Sequence, residues 1–225
     1  MARPWEAFFE QYDAEGRLYK QAQTSSPMRD HRRAFRAQFN GSLKGKRLLD
    51  GGCGYGSDLP FYAKRGAKVY GIDPSKTMIE LAKQSYPDFP NLSVQPVQKT
   101  TFPDRYFDVV TSIYALHNAP NLRQAFRELH RILKPKGVLL FLVQHPLFVF
   151  LLNKNKRYHG KAMVRFTIPD MRPPCTIAQP AHTFSDYFNE FVLERFELQA
   201  FEEGHEAVPL WFLAKLRKRE THRCR

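Results

Sequence analysis

Residues 46–58 read KRLLDGGCGYGSD, placing glycines at 51, 52, 54 and 56 directly behind a Leu-Leu-Asp run. A glycine-rich turn after a strand lets a ligand approach the backbone closely and leaves a helix N-terminus facing its negative charge. Two nucleotide-binding geometries compete for such a turn. The dinucleotide fingerprint needs glycines at i, i+2 and i+5, and from Gly52 the chain supplies Gly54 but then Ser57. The triphosphate loop needs Gly-Lys-Ser/Thr, and none follows. Asp73 closes a second apolar run, 17 residues past Gly56. A carboxylate at that strand end can accept hydrogen bonds from both hydroxyls of a ribose.

These groups must be carried by elements that bring strand ends together. Short β-branched or leucine-rich runs at 47–50, 69–72, 92–95, 108–113 and 138–143 read as strands, and amphipathic stretches at 58–65, 75–84 and 122–133 read as helices between them. The last of these stops before Lys134-Pro135-Lys136-Gly137, a turn signal. Alternation of this kind predicts βαβ units on a parallel sheet, hence an α/β fold. Before the glycines, residues 5–20 and 29–39 predict two helices, with Phe8, Tyr12 and Tyr19 on one face of the first and Phe35 and Phe39 four apart on the second. Residues 144–182 hold many prolines, aromatics and basic side chains without a sustained period, and predict a loop or lid. A helix over 185–194 and strands over 196–201 and 209–216, joined at Glu203-Gly204, complete the chain as an antiparallel hairpin. No linker composition calls for a second domain, so residues 1–225 are expected to form one domain, with N-terminal helices within 5–40 and the lid at about 144–182.

The stretch Asp50-Gly51-Gly52-Cys53-Gly54-Tyr55-Gly56, with pattern D-x-G-x-G-x-G, resembles the class I S-adenosylmethionine-dependent methyltransferases. The resemblance extends over VYGIDPSKTMIELAK (69–83), FPDRYFDVVTSIYALHN (102–118) and ALHNAPNLRQAFRELHRILKPKGVLLF (115–141), the last with Lys136 where the family usually has glycine. It implies a Rossmann-like, doubly wound, mostly parallel seven-stranded sheet with a C-terminal antiparallel hairpin, and S-adenosyl-L-methionine as cofactor. By the same resemblance Asp50, Gly51, Gly52, Cys53, Gly54 and Gly56 surround the methionine part, and Asp73 takes the ribose. Pro74 and Met78 pack near the adenine, and Ser112 and Tyr114, by the end of the fourth strand, are further expected cofactor contacts. The position that commonly carries an acid toward the adenine amino group lies in QPVQKTTF, which has none, so Gln98 or the backbone at Val97 is the expected substitute. Tyr12, Tyr19 and Tyr114 offer aromatic faces to a sulfonium cation. His117 and His145, following the fourth and fifth strands, are the candidates to orient or deprotonate an acceptor.

Composition bounds the rest. Hydrophobic residues at 43% and charged residues at 25% argue for a folded globular protein. The longest apolar stretch, 138–152, is interrupted by Gln144, His145 and Pro146 and is too short to span a bilayer. No secretory leader is visible, and three dispersed cysteines suggest neither a disulfide framework nor a zinc site, so a cytoplasmic protein without metal is expected. The net charge of +13 favours an anionic partner. Residues 137–180 carry six basic side chains against one acidic, and Lys215 to Arg225 read as a basic tail. The aromatic and basic lid, ending in PAHTFSDYFNEF, resembles the HRTLSDY block of small-molecule methyltransferases, so the expected acceptor is a small molecule of aromatic or anionic character, handled by a monomer or homodimer. An RNA methyltransferase is the alternative suggested by charge, and a cofactor-binding protein without transferase activity is the third. Against the nucleic-acid reading, the fourth strand runs into SIYA rather than a D/N-P-P-aromatic motif.

Overall fold

The computed structural model describes residues 11–14, 16–17, 20, 29–154, 156–159, 162–167, 174 and 176–220. Tyr19, Cys175, Cys224 and residues 5–10 of the expected first helix lie outside them. Seven strands form one sheet in the order β3-β2-β1-β4-β5-β9-β8: β1 (Arg47–Gly51), β2 (Lys68–Asp73), β3 (Leu92–Val94), β4 (Phe107–Ile113), β5 (Leu133–Gln144), β8 (Phe196–Glu203) and β9 (Trp211–Lys218). The first five are parallel, and β9 and β8 run antiparallel at one edge. This is the Rossmann-like architecture expected from the alternation of elements. The central strands are buried almost throughout because helices cover both faces, whereas β8 is buried only at Phe196 and is otherwise half-buried or exposed, as an edge strand is.

The helices are α1 (Arg29–Ala37), α2 (Leu59–Lys64), α3 (Lys76–Ser85), α4 (Leu122–Ile132), α5 (Pro146–Leu152), α6 (Phe184–Tyr187) and α7 (Glu190–Arg195). Side-chain caps fix their starts: Ser75 accepts the Met78 N–H and Asn121 accepts the Gln124 N–H. The single helix expected over 185–194 is divided in two. Asn189 accepts the Val192 N–H and so caps a new helix, while its amide donates back to the Asp186 carbonyl. One sheet face packs Phe107, Phe126, Phe141, Tyr187 and Phe212, and the other is covered by two clusters around Tyr62 and Phe35.

Two further differences from the sequence expectation have physical causes. Residues 144–182 are not an irregular loop but hold α5 and an antiparallel hairpin of β6 (Met163–Thr167) and β7 (Thr176–Pro180), closed over Val149, Val164, Phe166 and Ile177. Elements this short give too few alternations for periodicity to register. Nor does the basic stretch beginning at Lys215 start a separate tail, because residues 215–218 are the end of β9. Lys215 Nζ donates to the Gln38 carbonyl, Lys218 Nζ to the carbonyls of His130 and Leu133, and Arg217 pairs with Glu197.

The turn signal at 134–137 is absorbed into β5 as a bulge, where pairing jumps from Phe107↔Leu133 to Val109↔Val138. Lys136 there sits at φ +62°, a left-handed conformation that costs an L-residue roughly 1–2 kcal/mol. Its exposed ion pair with Glu220 at 3.2 Å contributes about 0–1 kcal/mol. Lys136→Gly should therefore stabilise the chain by up to about 2 kcal/mol, seen as a higher urea midpoint at unchanged slope.

Candidate functional site

The sheet order reverses between β1 and β4, and crevices at such switch points are where open α/β sheets bind ligands. A cleft lies there, lined by Asp50, Gly52, Cys53 and Gly54 from β1 and its loop, Asp73, Pro74 and Met78 from β2 and α3, Val97 and Gln98, and Ile113 and Tyr114 from β4. The loop glycines serve shape, and their N–H groups are used within the protein. A Cβ on Gly52, at φ +79°, would stand 2.1 Å from Ala115 Cβ, whereas Gly54, at φ +54°, faces open space. The N–H groups of Gly52 and Cys53 both donate to the Ile72 carbonyl, and the Gly54 N–H donates to Asp73 Oδ2 at 2.9 Å. Asp73 Oδ1 accepts the Ser75 N–H at 2.9 Å. Each oxygen keeps a lone pair for a further donor.

A roof crosses this cleft. Gln11 exchanges two 3.0 Å hydrogen bonds with the backbone of Ala178 in β7, and Asp13 accepts from Ser75 Oγ at 2.6 Å and from the Thr77 N–H at 3.1 Å. Between them Tyr12 lines the cleft, its hydroxyl accepting from Asn118 Nδ2. From α1, Arg32 reaches the cleft wall and shares Asp58 with Arg36, at 3.0 and 2.6 Å. Arg32, Asp58 and Asn118 escape sequence reasoning. A hint is legible afterwards: Arg32, Phe35, Arg36 and Phe39 recur at i, i+3, i+4 and i+7 and mark a basic and aromatic helix face.

Other candidates stand elsewhere. Gly51, Gly56 and Ser112 do not line the cleft: Gly51 and Gly56 pack against Val97 and against Leu59 and Tyr86, and Ser112 is buried within β4. His117 is buried beneath Tyr114, with ring centroids 6.1 Å apart, and burial together with nearby His182 pushes its pKa down to about 3. So weak a base is poorly matched to proton abstraction near neutrality. His145 caps α5, its Nδ1 accepting the Leu147 N–H while Nε2 meets Glu203 at 2.6 Å. Nδ1 thus fixes the start of α5, and Nε2 ties the 144–182 segment to β8.

The cleft's donor set matches the parts of S-adenosylmethionine. Among the described residues, Oε1 of Gln98 and Oδ1 of Asn118 are buried without a hydrogen-bond partner, and both side chains border the cleft. Asp73 keeps acceptor lone pairs, Met78 offers an apolar surface, and Arg32 and Asp50 bring a guanidinium and a carboxyl group to the same cleft. Burial, then the neighbouring Asp58, raises the Asp50 pKa to about 8, against the hydrogen bond from Thr111 Oγ; burial raises Asp73 to about 6 against its two backbone donors.

Residues 49–141 match the family described as "Methyltransferase domain". The chain is 30% identical over 190 residues to an uncharacterised protein of Haemophilus influenzae, covering 76% of this chain and 75% of that one. It is 32% identical over 111 residues to the demethylmenaquinone methyltransferase of Tropheryma whipplei, a match spanning 49% of this chain and 46% of that enzyme. In fold it is similar to an S-adenosylmethionine-dependent methyltransferase from Mesorhizobium loti, with TM-score 0.63 and 21% identity over 83% of this chain and 96% of that one.

Because Asp50 holds its proton more tightly in the folded chain than in the unfolded one, the stability it contributes is complete below about pH 4 and is lost as pH rises through about 8. Ligand-free Asp50→Asn should therefore exceed the wild type at pH 8 by on the order of a few kcal/mol, and differ little at pH 4, in urea unfolding at the two pH values.

Proposed function

The chain belongs to the class I S-adenosylmethionine-dependent methyltransferases, with S-adenosylmethionine as cofactor, and on that premise we propose that its methyl acceptor is a small molecule with an aromatic ring. The observation that carries this reading is the roof: Gln11 clasped to β7 and Asp13 seated on α3 hold Tyr12 over the cleft. An acceptor reaching the methyl group has to fit beneath that helical stretch. Tyr12, Tyr55 and Tyr114 line the cleft and supply ring surfaces, and the named acceptor of the demethylmenaquinone methyltransferase relative is of the same general kind. Residues 1–225 act in this reading as one unit, with the 144–182 segment as the lid on the acceptor side. Among the described residues no helix is long and apolar enough to cross a membrane.

When bound, the cofactor supplies a methyl group activated on a sulfonium, so that the protein's task is orientation and exclusion of water. In the proposed arrangement Asp73 holds the ribose hydroxyls, Gln98 Oε1 takes the adenine amino group in place of an acid, and Met78 and Pro74 flank the base. Asp50 faces the methionine ammonium, and Arg32 faces its carboxylate from the rim. Hydrogen bonds to a charged carboxylate are worth about 1.5–3 kcal/mol, which converts to roughly 10- to 100-fold in affinity.

Asp73→Ala should accordingly weaken S-adenosylhomocysteine binding by about that factor in calorimetry. Labelled methyl groups should appear in low-mass products when the enzyme is given a metabolite extract. Label entering total tRNA instead would reverse the choice of acceptor.

A further inference from the structure

Tyr114 occupies an unusual place. It lines the cleft at the end of β4 and has φ +51°, a conformation in which a bulky residue is an outlier and which clusters at functional sites. Its hydroxyl is 2.6 Å from Nδ1 of His31 on α1. The other ring nitrogen of His31, Nε2, is 3.5 Å from Glu206 in the β8–β9 turn. The His31 ring packs against Trp211, with centroids 5.4 Å apart, and its side chain is 16% exposed against 38% for Glu206. Gly204 leaves room for that carboxylate, since a Cβ there would stand 2.1 Å from Glu206 Oε2. Three elements distant in sequence thus place a carboxylate, an imidazole and a phenol in line, with the phenol at the cleft.

We propose that Glu206, His31 and Tyr114 form a proton relay in which Tyr114 is the catalytic residue that takes the proton from the acceptor's hydroxyl or amine, and His31 and Glu206 are its positioning residues. The inference rests on the methyltransferase reading above. Tyr114 O–H donates to Nδ1, which leaves the Nε2 proton directed at Glu206. As the acceptor's heteroatom–hydrogen bond breaks, its proton passes to the Tyr114 oxygen while the phenol's own proton moves to Nδ1. The bonding electron pair stays on the acceptor atom, which becomes the nucleophile. The imidazolium so formed faces Glu206, and its proton leaves to water past that half-exposed carboxylate. Burial holds the His31 pKa below its ordinary value and Arg32 lowers it further, while Glu206 and Asp30 oppose this, so the ring is a neutral acceptor at pH 7. His117, the other titratable ring against Tyr114, stays neutral as well.

The test uses the full chain with ring-labelled histidine, with and without S-adenosylhomocysteine, followed by NMR across pH. His31, identified by the signal lost in His31→Gln, should titrate below pH 6.5. Glu206→Gln should lower that midpoint further, and Tyr114→Phe should displace the His31 resonance. Gly204→Ala, which moves the carboxylate without removing it, should act in the same direction as Glu206→Gln but less. In methyl transfer to the metabolite extract, His31→Gln should melt within a few degrees of wild type yet lose about 10²-fold in rate at pH 7, with the loss shrinking toward alkaline pH as the phenol ionises unaided. A His31 midpoint indifferent to both Glu206→Gln and Tyr114→Phe overturns the relay, as does an unchanged pH–rate profile in His31→Gln. Failure of S-adenosylhomocysteine to bind would instead strike the methyltransferase reading, while the titration still reports on the relay.

Discussion

The carboxylate of Asp73, held by the N–H of Gly54 on one oxygen and the N–H of Ser75 on the other, is the constraint on which the cleft depends. It ties the glycine loop behind β1 to the end of β2 and the start of α3, so three separate segments share one anchor. With Gly52 and Cys53 also donating to Ile72, the loop is drawn flat against the sheet and its open side is left to a ligand. Gly52 and Gly54 suit their positions because a side chain at the first would strike Ala115, just past β4, and one at the second would project into the open cleft. A buried acid is an unfavourable anchor in isolation, and the raised pKa of Asp73 records that. Its two backbone donors offset part of the penalty, and a ribose in the cleft would add to them.

The same logic extends outward from this anchor. Ser75, whose N–H holds Asp73, also caps α3 and donates to Asp13 in the roof. The floor and the roof of the cleft are therefore coupled through one serine. On the opposite side Asn118 joins Tyr12, and Asp58 gathers Arg32 and Arg36 from α1. The contacts of Asp13, Asn118 and Asp58 link segments 20 or more residues apart, and together they convert an open sheet edge into a site from which water can be excluded. In such a setting hydrogen bonds and charges act more strongly than at the surface. This is the environment in which a phenol, an imidazole and a carboxylate in line can carry a proton.

Much of the scaffold was legible from the chain. Five parallel strands, three intervening helices and the closing hairpin follow from runs of Val, Ile and Leu set between amphipathic stretches, since a strand covered on both faces has no polar alternation to disguise it. Asp73 and the glycine loop stood out because their residue types are poor choices for packing. The misses share a cause. The short elements of 146–180 fall below the length at which periodicity can be counted, and Asn189 divides a helix by a capping preference that local propensity does not rank above continuation. Lys215 and Lys218 resembled a solvated tail, but their long stems let the ammonium groups reach backbone carbonyls inside the fold.

The sequence alone determined the order of elements, the family and the methyl donor, because these depend on residues clustered within short stretches whose spacing sets their geometry. Only the tertiary structure decided which side chains surround the acceptor. His117 and His145, the conspicuous histidines after strands, are engaged in packing and capping, whereas His31, on a helix before the first strand, meets Tyr114 and Glu206 across gaps of 83 and 175 positions. No local pattern encodes that meeting. It arises because α1 is laid over the ends of β4 and β9 by the burial of Phe35 among Ile113, Leu140, Leu142, Trp211 and Leu213, a contact between surfaces that exists only once the sheet has formed.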